Sequence, residues 1–343
     1  MTKNETKDMT TGNPSKIILG FSIPLLFGML FQQFYSMVDT IIVGKYLGVD
    51  SLAAVGSTGS INFMIIGFCM GVCNGFAIPV AQKFGANDHK MLRKYVANSG
   101  WLSIIFSAVM TIIVCILCRD ILVWMKTPTD IIDGAYNYIF VIFLGIPVTY
   151  LYNLLSGIIR SLGDSKTPLY FLLISSVINI ILDLFLIIVM KMGVAGAAWA
   201  TVISQGISGV LCLLFMKKKY EILKFEKDEL KVSNRCIKKL CYIGIPMGLQ
   251  YSITAIGSVI LQTAVNNLGS VVVASVTAAS KISMFLCCPF DALGSTMAVY
   301  AGQNVGARKL DRISQGIKSS IFNISFNYID LLWKDNSFNI CRY

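Results

Sequence analysis

Residues 170–189 read YFLLISSVINIILDLFLIIV, an apolar run long enough to cross a bilayer as one helix. The run carries Asn179 and Asp183 four positions apart, and a helix places this amide and this carboxylate on one face. A carboxylate at such depth is costly to desolvate, so it usually lines a wet cavity, an ion path or a proton relay. The alternative is an acid neutralised by a neighbouring helix. We favour a functional site because other apolar segments bring polar groups to a similar depth.

The composition of the whole chain extends this interpretation. Hydrophobic residues make up 55% of the 343 residues and charged residues only 14%, which is too apolar for an ordinary soluble domain. The chain is therefore predicted to be an all-α, polytopic membrane protein with eight transmembrane helices. The apolar stretches of spanning length lie at about residues 17–44, 53–81, 96–118, 134–158, 169–190, 194–216, 240–265 and 272–300.

The distribution of basic residues predicts the orientation. The net charge is +11, but most of the 29 Lys and Arg residues fall in the lead and in alternate loops. This asymmetry follows the positive-inside rule and predicts a cell-membrane protein with a cytoplasmic N-terminus. It makes a nucleic-acid partner unnecessary. The predicted external loops hold only Lys45, Arg119, Lys126 and Lys191.

Cysteine and histidine give no sign of a metal centre. Most of the ten cysteines lie within or beside apolar stretches, where they behave as small hydrophobic residues. Cys115 and Cys118 form a lone C-x-x-C, but the one histidine, His89, belongs to a loop on the opposite side. We expect no cofactor and no cleavable signal peptide, since the lead is polar and the first apolar segment lacks a small-residue cleavage site.

Two further spans carry polar stripes at positions i, i+3, i+4 and i+7, a spacing that forms one helix face. Counting about 1.5 Å per residue from the external ends, Asp39, Asp183 and Thr201 lie at a similar depth, so three helices can converge on one polar chamber. Small polar residues also line ordinary helix contacts in membranes, which is the structural alternative for the second stripe. The stripes are Gln32, Tyr35, Ser36 and Asp39 in the first span, and Thr201, Ser204, Gln205 and Ser208 in the sixth.

The connections divide the chain. Residues 1–16 form a polar lead, and residues 217–239 form a charged linker between two lobes at 17–216 and 240–320. In the loop before residue 170, Thr167 is predicted to cap the next helix and Pro168 to occupy its first position. That loop by itself is a turn and not a site.

After the linker the sequence repeats. Ile23-Pro24 recurs as Ile245-Pro246, Leu47-Gly48 as Leu268-Gly269, and Gln82-Lys-Phe-Gly-Ala as Gln303-Asn-Val-Gly-Ala. The common offset of about 221 residues predicts two parallel six-helix repeats with a site between them. A complete second repeat needs roughly 95 more residues, so we expect it to be cut short. The tail 321–343 is too charged to match the third span, which suggests a truncated or frame-shifted product.

Together these segments resemble the multidrug and toxic compound extrusion family over about residues 10–320. The resemblance is carried by Ser36 to Gly44, Gly157 to Pro168, Asn179-Ile-Ile-Leu-Asp183 and the duplicated Gln-x-x-Gly-Ala. It implies two six-helix lobes around a cleft that opens alternately to either side. The implied activity is export of lipophilic, often cationic, drug-like compounds in exchange for Na⁺ or H⁺.

The resemblance to DinF-like members implies a cation site made by Asp39, Asn179, Asp183 and Thr201. In that site the two carboxylates bind or release the cation, and the amide and hydroxyl supply neutral oxygens. A second cation site is doubtful, because Thr254 stands where the NorM-like branch has an acid. Candidate residues of the substrate cleft are Gln32, Tyr35, Ser36, Gln205 and Lys281.

The sequence leaves three alternative functions. A flippase for lipid-linked precursors belongs to the same superfamily and requires a more cationic cleft, for which Lys281 is the candidate in the sequence. An inert fragment of a transporter is the alternative suggested by the tail. An intramembrane enzyme is disfavoured because the chain lacks H-E-x-x-H, G-x-S-x-G and paired Ser and His in the spans.

Overall fold

The computed structural model describes residues 8–125, 127–266 and 270–321, with the side chains at 259, 262–266 and 270–282 left out. Within this part of the chain every regular element is helical, which confirms the all-α prediction. The helices are α1 (Pro14–Leu47), α2 (Val49–Ser57), α3 (Gly59–Gly85), α4 (His89–Ile116), α5 (Cys118–Trp124), α6 (Ile132–Leu144), α7 (Ile146–Ser161), α8 (Lys166–Leu184), α9 (Val194–Lys219), α10 (Asn234–Asn266), α11 (Ser270–Gly306) and α12 (310–321).

The first helix shows how local sequence sets the ends of an element. The Asn13 side chain accepts hydrogen bonds from the backbone N–H groups of Ser15 and Lys16, and Pro14 occupies the first position, where no N–H is needed. The helix ends before Gly48, whose φ of 88° lies in the left-handed region that favours glycine.

Six of the described helices are long and apolar enough to cross a membrane, and there are seven if the bent pair α6–α7 is one span. That pair bends by 47° at Gly145, just before Pro147, so the predicted fourth span is broken into two helices. Every predicted apolar stretch falls on helix, but the count of eight spans stays a prediction.

Helices α1–α9, here called the N-terminal helices, pack around α7. Helix α7 contacts α3, α4 and α9, while α9 also packs on α6 and α8, and α1 lies against α8. The C-terminal helices α10–α12 join this group mainly through α3. Helices α3 and α10 approach at glycines: a Cβ added at Gly75 would lie 2.5 Å from Gly244 Cα, and one added at Gly71 would lie 2.6 Å from Met247 O. Larger residues would push the two helices apart.

The duplicated Gln-x-x-Gly-Ala segments form the same turn twice. After α3 the N–H of Ala86 donates to Gln82 O at 3.1 Å, and after α11 the N–H of Ala307 donates to Gln303 O at 2.9 Å. Asn87 and Arg308, again 221 positions apart, have left-handed φ values of 53° and 59°. The two turns touch each other reciprocally: a Cβ at Gly85 would lie 1.9 Å from Gln303 O, and one at Gly306 would lie 1.8 Å from Gln82 O.

The linker 217–239 is fastened to the N-terminal helices. Arg93 on α4 donates to both carboxylate oxygens of Glu229, from Nε at 2.6 Å and from Nη2 at 2.8 Å. The Asn98 side chain, also on α4, accepts from Ser233 N–H at 2.8 Å. Glu229 is fully buried. The charged linker therefore has a fixed path over α4.

The described part of the lead, from residue 8 onward, is also docked, although the sequence indicated only a polar segment. Met9 is fully buried, and its N–H donates to Gln303 Oε1 at 2.9 Å. Its carbonyl accepts from the side chains of Asn304 and Arg312. Hence residues near the start of the chain help to hold α11 and α12.

The cap of α8 is Asp164 and not Thr167, which corrects the sequence prediction. Asp164 Oδ1 accepts from the N–H groups of Lys166 and Thr167, at 2.9 and 3.0 Å. Thr167 instead lies inside the first turn and donates its own hydroxyl to Asp164. Tyr220 of the linker donates to the same carboxylate at 2.8 Å and so helps to hold Asp164, three positions before Thr167, as the capping side chain.

Candidate cation site

The structure brings Asp39 of α1 and Asp183 of α8 together. Their side chains lie within hydrogen-bonding reach of each other. Asp183 is fully buried and Asp39 is partly buried. Asp183 Oδ1 and Oδ2 and Asp39 Oδ1 are sealed from solvent, and among the described residues none of them accepts a hydrogen bond. The pair therefore has acceptor capacity that no described donor uses.

Asn179 lies one turn before Asp183 on the same helix face, as its spacing predicts. Its side chain is 2% exposed, and neither amide atom has a described hydrogen-bond partner. Directly after Asp183 and Leu184 the helix widens into a π-helical turn, Phe185–Val189. Such turns replace the regular i→i−4 bonds and occur frequently at functional sites.

Thr201 and the predicted cleft residues are placed differently. Thr201 is partly buried on α9 and donates its hydroxyl to Ala197 O at 3.1 Å, without a hydrogen bond to either carboxylate. Gln205 accepts from the Thr149 hydroxyl of α7 at 3.1 Å, so it joins two N-terminal helices. Gln32 and Ser36 are exposed on α1, and the Gln32 side chain lies near Tyr35. The side chain of Lys281 lies outside the described residues.

Tyrosine side chains complete the surroundings of the carboxylate pair. Tyr35 and Tyr138 each interact electrostatically with both Asp39 and Asp183. Tyr35 belongs to the polar stripe predicted from the sequence, whereas Tyr138, which lies buried on α6, was not predicted. No spacing rule connects Tyr138 to α1 or α8, because the relation exists only through tertiary packing. Its phenol gave no distinct signal, because Tyr136, Tyr150 and Tyr152 belong to the same predicted span.

This set of groups can neutralise one small cation. Two adjacent carboxylates at low dielectric repel each other, so the pair favours a shared proton or a bound cation. Carboxylate and amide oxygens are also suitable ligands for hard ions such as Na⁺. Among the described residues no group of three or more His, Cys, Asp or Glu is arranged to hold a metal ion, so the site offers only two charged ligands.

A duplicated bundle of membrane helices with buried, unpaired carboxylates is the architecture of a secondary transporter. The chain matches the MatE family over residues 24–185 and 246–328, two segments that follow the internal repeat. It therefore belongs to the MatE family, whose members are transporters and not enzymes.

Individual relatives agree with this assignment. The chain is 31% identical over 316 residues to the probable multidrug resistance protein YoeA of Bacillus subtilis, a match that covers 90% of this chain and 68% of that protein. It is 23% identical to the FAD transporter of Shewanella oneidensis, over 89% of this chain and 68% of the relative. Among solved structures, a MOP superfamily transporter from Pyrococcus furiosus superposes with a TM-score of 0.88 at 25% identity, covering 97% of this chain and 74% of the other.

Proposed function

We propose that this chain exports lipophilic, often cationic compounds in exchange for Na⁺ or H⁺, and that Asp39 and Asp183 carry the exchanged cation. The observation behind the proposal is the contact between two carboxylates from different helices, one of them fully buried, with unused acceptor atoms. The name of the multidrug resistance relative supports the class of substrate.

The proposed coupling runs through α1. When a proton or Na⁺ neutralises the carboxylate pair, α1 and α8 can remain in contact; when the cation leaves, repulsion between the carboxylates favours their separation. The same helix also packs on the C-terminal helices, since Ile18, Phe21 and Leu25 share a core cluster with Ala292 and Tyr300 of α11. A shift of α1 at the cation site therefore alters the contact between the two groups of helices.

We also propose that residues 17–216 and 240–320 act as two lobes joined by 217–239, with the N-terminus on the cytoplasmic side. The reciprocal contact between the two Gln-x-x-Gly-Ala turns supports a two-lobed arrangement. The basic residues of the linker support the orientation. In this arrangement the two turns close the cytoplasmic end of the path between the lobes.

The test is energised efflux of ethidium from cells that lack other exporters. Because Asp183→Asn and Asp39→Asn each remove one carboxylate but keep its size, we expect at least a tenfold loss of efflux. Asp133→Asn is the matched control, since Asp133 is exposed and makes only a surface pair with Arg119 at 3.3 Å. Unchanged efflux in Asp183→Asn, at equal amounts in the membrane, would overturn the proposal.

Proteoliposomes then identify the coupling ion. A Na⁺ gradient at constant pH is compared with a pH gradient in choline, and the gradient that drives efflux identifies the ion. The same experiment separates the alternatives. No driven transport by the purified chain would favour an inert fragment, whereas transport of lipid-linked precursors in preference to ethidium would favour a flippase.

A further inference from the structure

The structure holds an arginine that the proposed cation site does not use. Arg160 lies in the last turn of α7, and its Nη2 donates to Asn74 Oδ1 of α3 at 3.2 Å. The side chain is partly buried where α3, α7, α9 and α10 meet, because Cys73, Cys212 and Tyr251 all interact with it electrostatically. A guanidinium in such surroundings keeps its charge and is costly without a counter-charge.

No carboxylate in the described part of the chain supplies that counter-charge. Among the described residues none lies within 4 Å of the Arg160 guanidinium. A guanidinium has five N–H donors, and the hydrogen bond to Asn74 uses one of them. Among the described residues no second acceptor is hydrogen-bonded to the guanidinium, so its other N–H groups have donor capacity that a ligand could use.

Two other arginines show what a structural arginine looks like in this chain. Arg93 binds both oxygens of Glu229 and the carbonyl of Ile222. Arg312 binds Asn304 Oδ1 at 3.1 Å and Met9 O at 3.4 Å. Each of these two arginines donates hydrogen bonds to at least two acceptors and so joins two segments of the chain. Arg160 has a single described acceptor, the neutral side-chain amide of Asn74.

The partners of Arg160 come from both groups of helices. Asn74 lies between Gly71 and Gly75, where α3 touches α10 most closely. From α10, Tyr251 interacts electrostatically with Arg160 and with Asp291 of α11, and its phenol lies near the Asn74 side chain. Arg160, Asn74 and Tyr251 thus form a polar cluster at the boundary between the groups, and the cluster carries one positive charge.

We propose that Arg160, Asn74 and Tyr251 bind an anionic group, a carboxylate or a phosphate, of a transported compound. The geometry of guanidinium suits bidentate binding of either group, while the amide and the phenol supply additional donors. This inference rests on the proposed export function and extends its substrates from cationic compounds to anionic and zwitterionic ones. Asp291, which interacts electrostatically with Tyr251, is the candidate partner for the cationic part of a zwitterion.

The experiment measures equilibrium binding to the purified full chain. Carboxyfluorescein is the carboxylate probe, FAD is the phosphate probe, and ethidium carries no anionic group. We expect Arg160→Gln to weaken binding of at least one anionic probe tenfold or more, while ethidium binding changes less than twofold. Arg160→Lys keeps the charge but loses the bidentate geometry, so its effect should be intermediate. The probe that responds distinguishes a carboxylate from a phosphate site.

Several outcomes would overturn the inference. One is failure of the wild-type chain to bind either anionic probe, and another is unchanged anion binding in Arg160→Gln. The third is equal weakening of all three probes in Arg160→Gln, which would show that Arg160 only stabilises the helix packing. If Arg160→Gln does not fold, the ratio of anion to ethidium binding in Arg160→Lys decides the question in the same way. Asp183→Asn is measured in parallel: it tests the coupling through driven ethidium efflux and should leave anion binding unchanged, so the two proposals fail separately.

Discussion

Replacing Gly85 by alanine tests whether the two Gln-x-x-Gly-Ala turns hold the two groups of helices together. The added Cβ would lie 1.9 Å from Gln303 O, and ordinary contact begins at 3.4 Å, so the turns must separate by about 1.5 Å. The obstructing atom is backbone, which no rotamer change can move. Overpacking of this kind costs about 1–3 kcal/mol, and it acts only on the state in which the turns touch.

A change of that size shifts the balance between touching and separated turns by about 5- to 150-fold. Two measurements detect this shift. They are the thermal unfolding midpoint of the purified protein and pulsed EPR distances between labels at Lys90 and Asp311. Both positions are exposed and lie just beyond the two turns. We expect a lower midpoint and a longer or broader distance distribution in Gly85→Ala.

Gly59→Ala is the matched control, because nothing lies within 4 Å of a Cβ at that position. There the substitution only improves helix propensity, by up to about 1 kcal/mol. Gly306→Ala should behave like Gly85→Ala, and the double variant should cost less than the sum because one movement relieves both overlaps. If Gly85→Ala matches Gly59→Ala in midpoint and distance, the close contact of the turns is wrong.

Two further predictions concern the docked segments. Hydrogen bonds from Arg93 hold the pKa of Glu229 below its ordinary value of 4.5, so this contact stabilises the fold above pH 4.5 and is lost as the pH falls through the lower folded pKa. The midpoint of the wild type should therefore drop on acidification below pH 4.5 by more than that of Glu229→Gln, and parallel curves would contradict it. Met9→Asp buries a charge beside α11 and should cost about 2 kcal/mol or more, seen as a lower midpoint. Lys16→Asp is the control, because Lys16 is exposed and an acid in the first turn of α1 should cost little; equal midpoints would refute the docking.

The sequence predicted best those features that depend on neighbours along one helix. Asn179 and Asp183 share a buried face because four residues make about one helical turn, whatever surrounds them. The repeated turns after α3 and α11 also follow from local residues and were indicated by the duplicated Gln-x-x-Gly-Ala, whereas α1 continues to Leu47, past the predicted end of the span at residue 44. Thr167 shows the limit of this reasoning, because the competing acceptor Asp164 was fixed by Tyr220 from the distant linker.

The amino-acid sequence by itself determined the all-helical membrane fold and the repeat, since hydrophobic length and periodicity act through local geometry and the solvent. The contact between Asp39 and Asp183 was anticipated only by equal depth and by resemblance. Tyr138 beside the carboxylates, Arg160 between α3 and α10, and the docking of Met9 were decided by tertiary packing alone. Each of these relations joins residues far apart in the chain, where no spacing rule operates, and each exists only because helices from different parts of the sequence bury against one another.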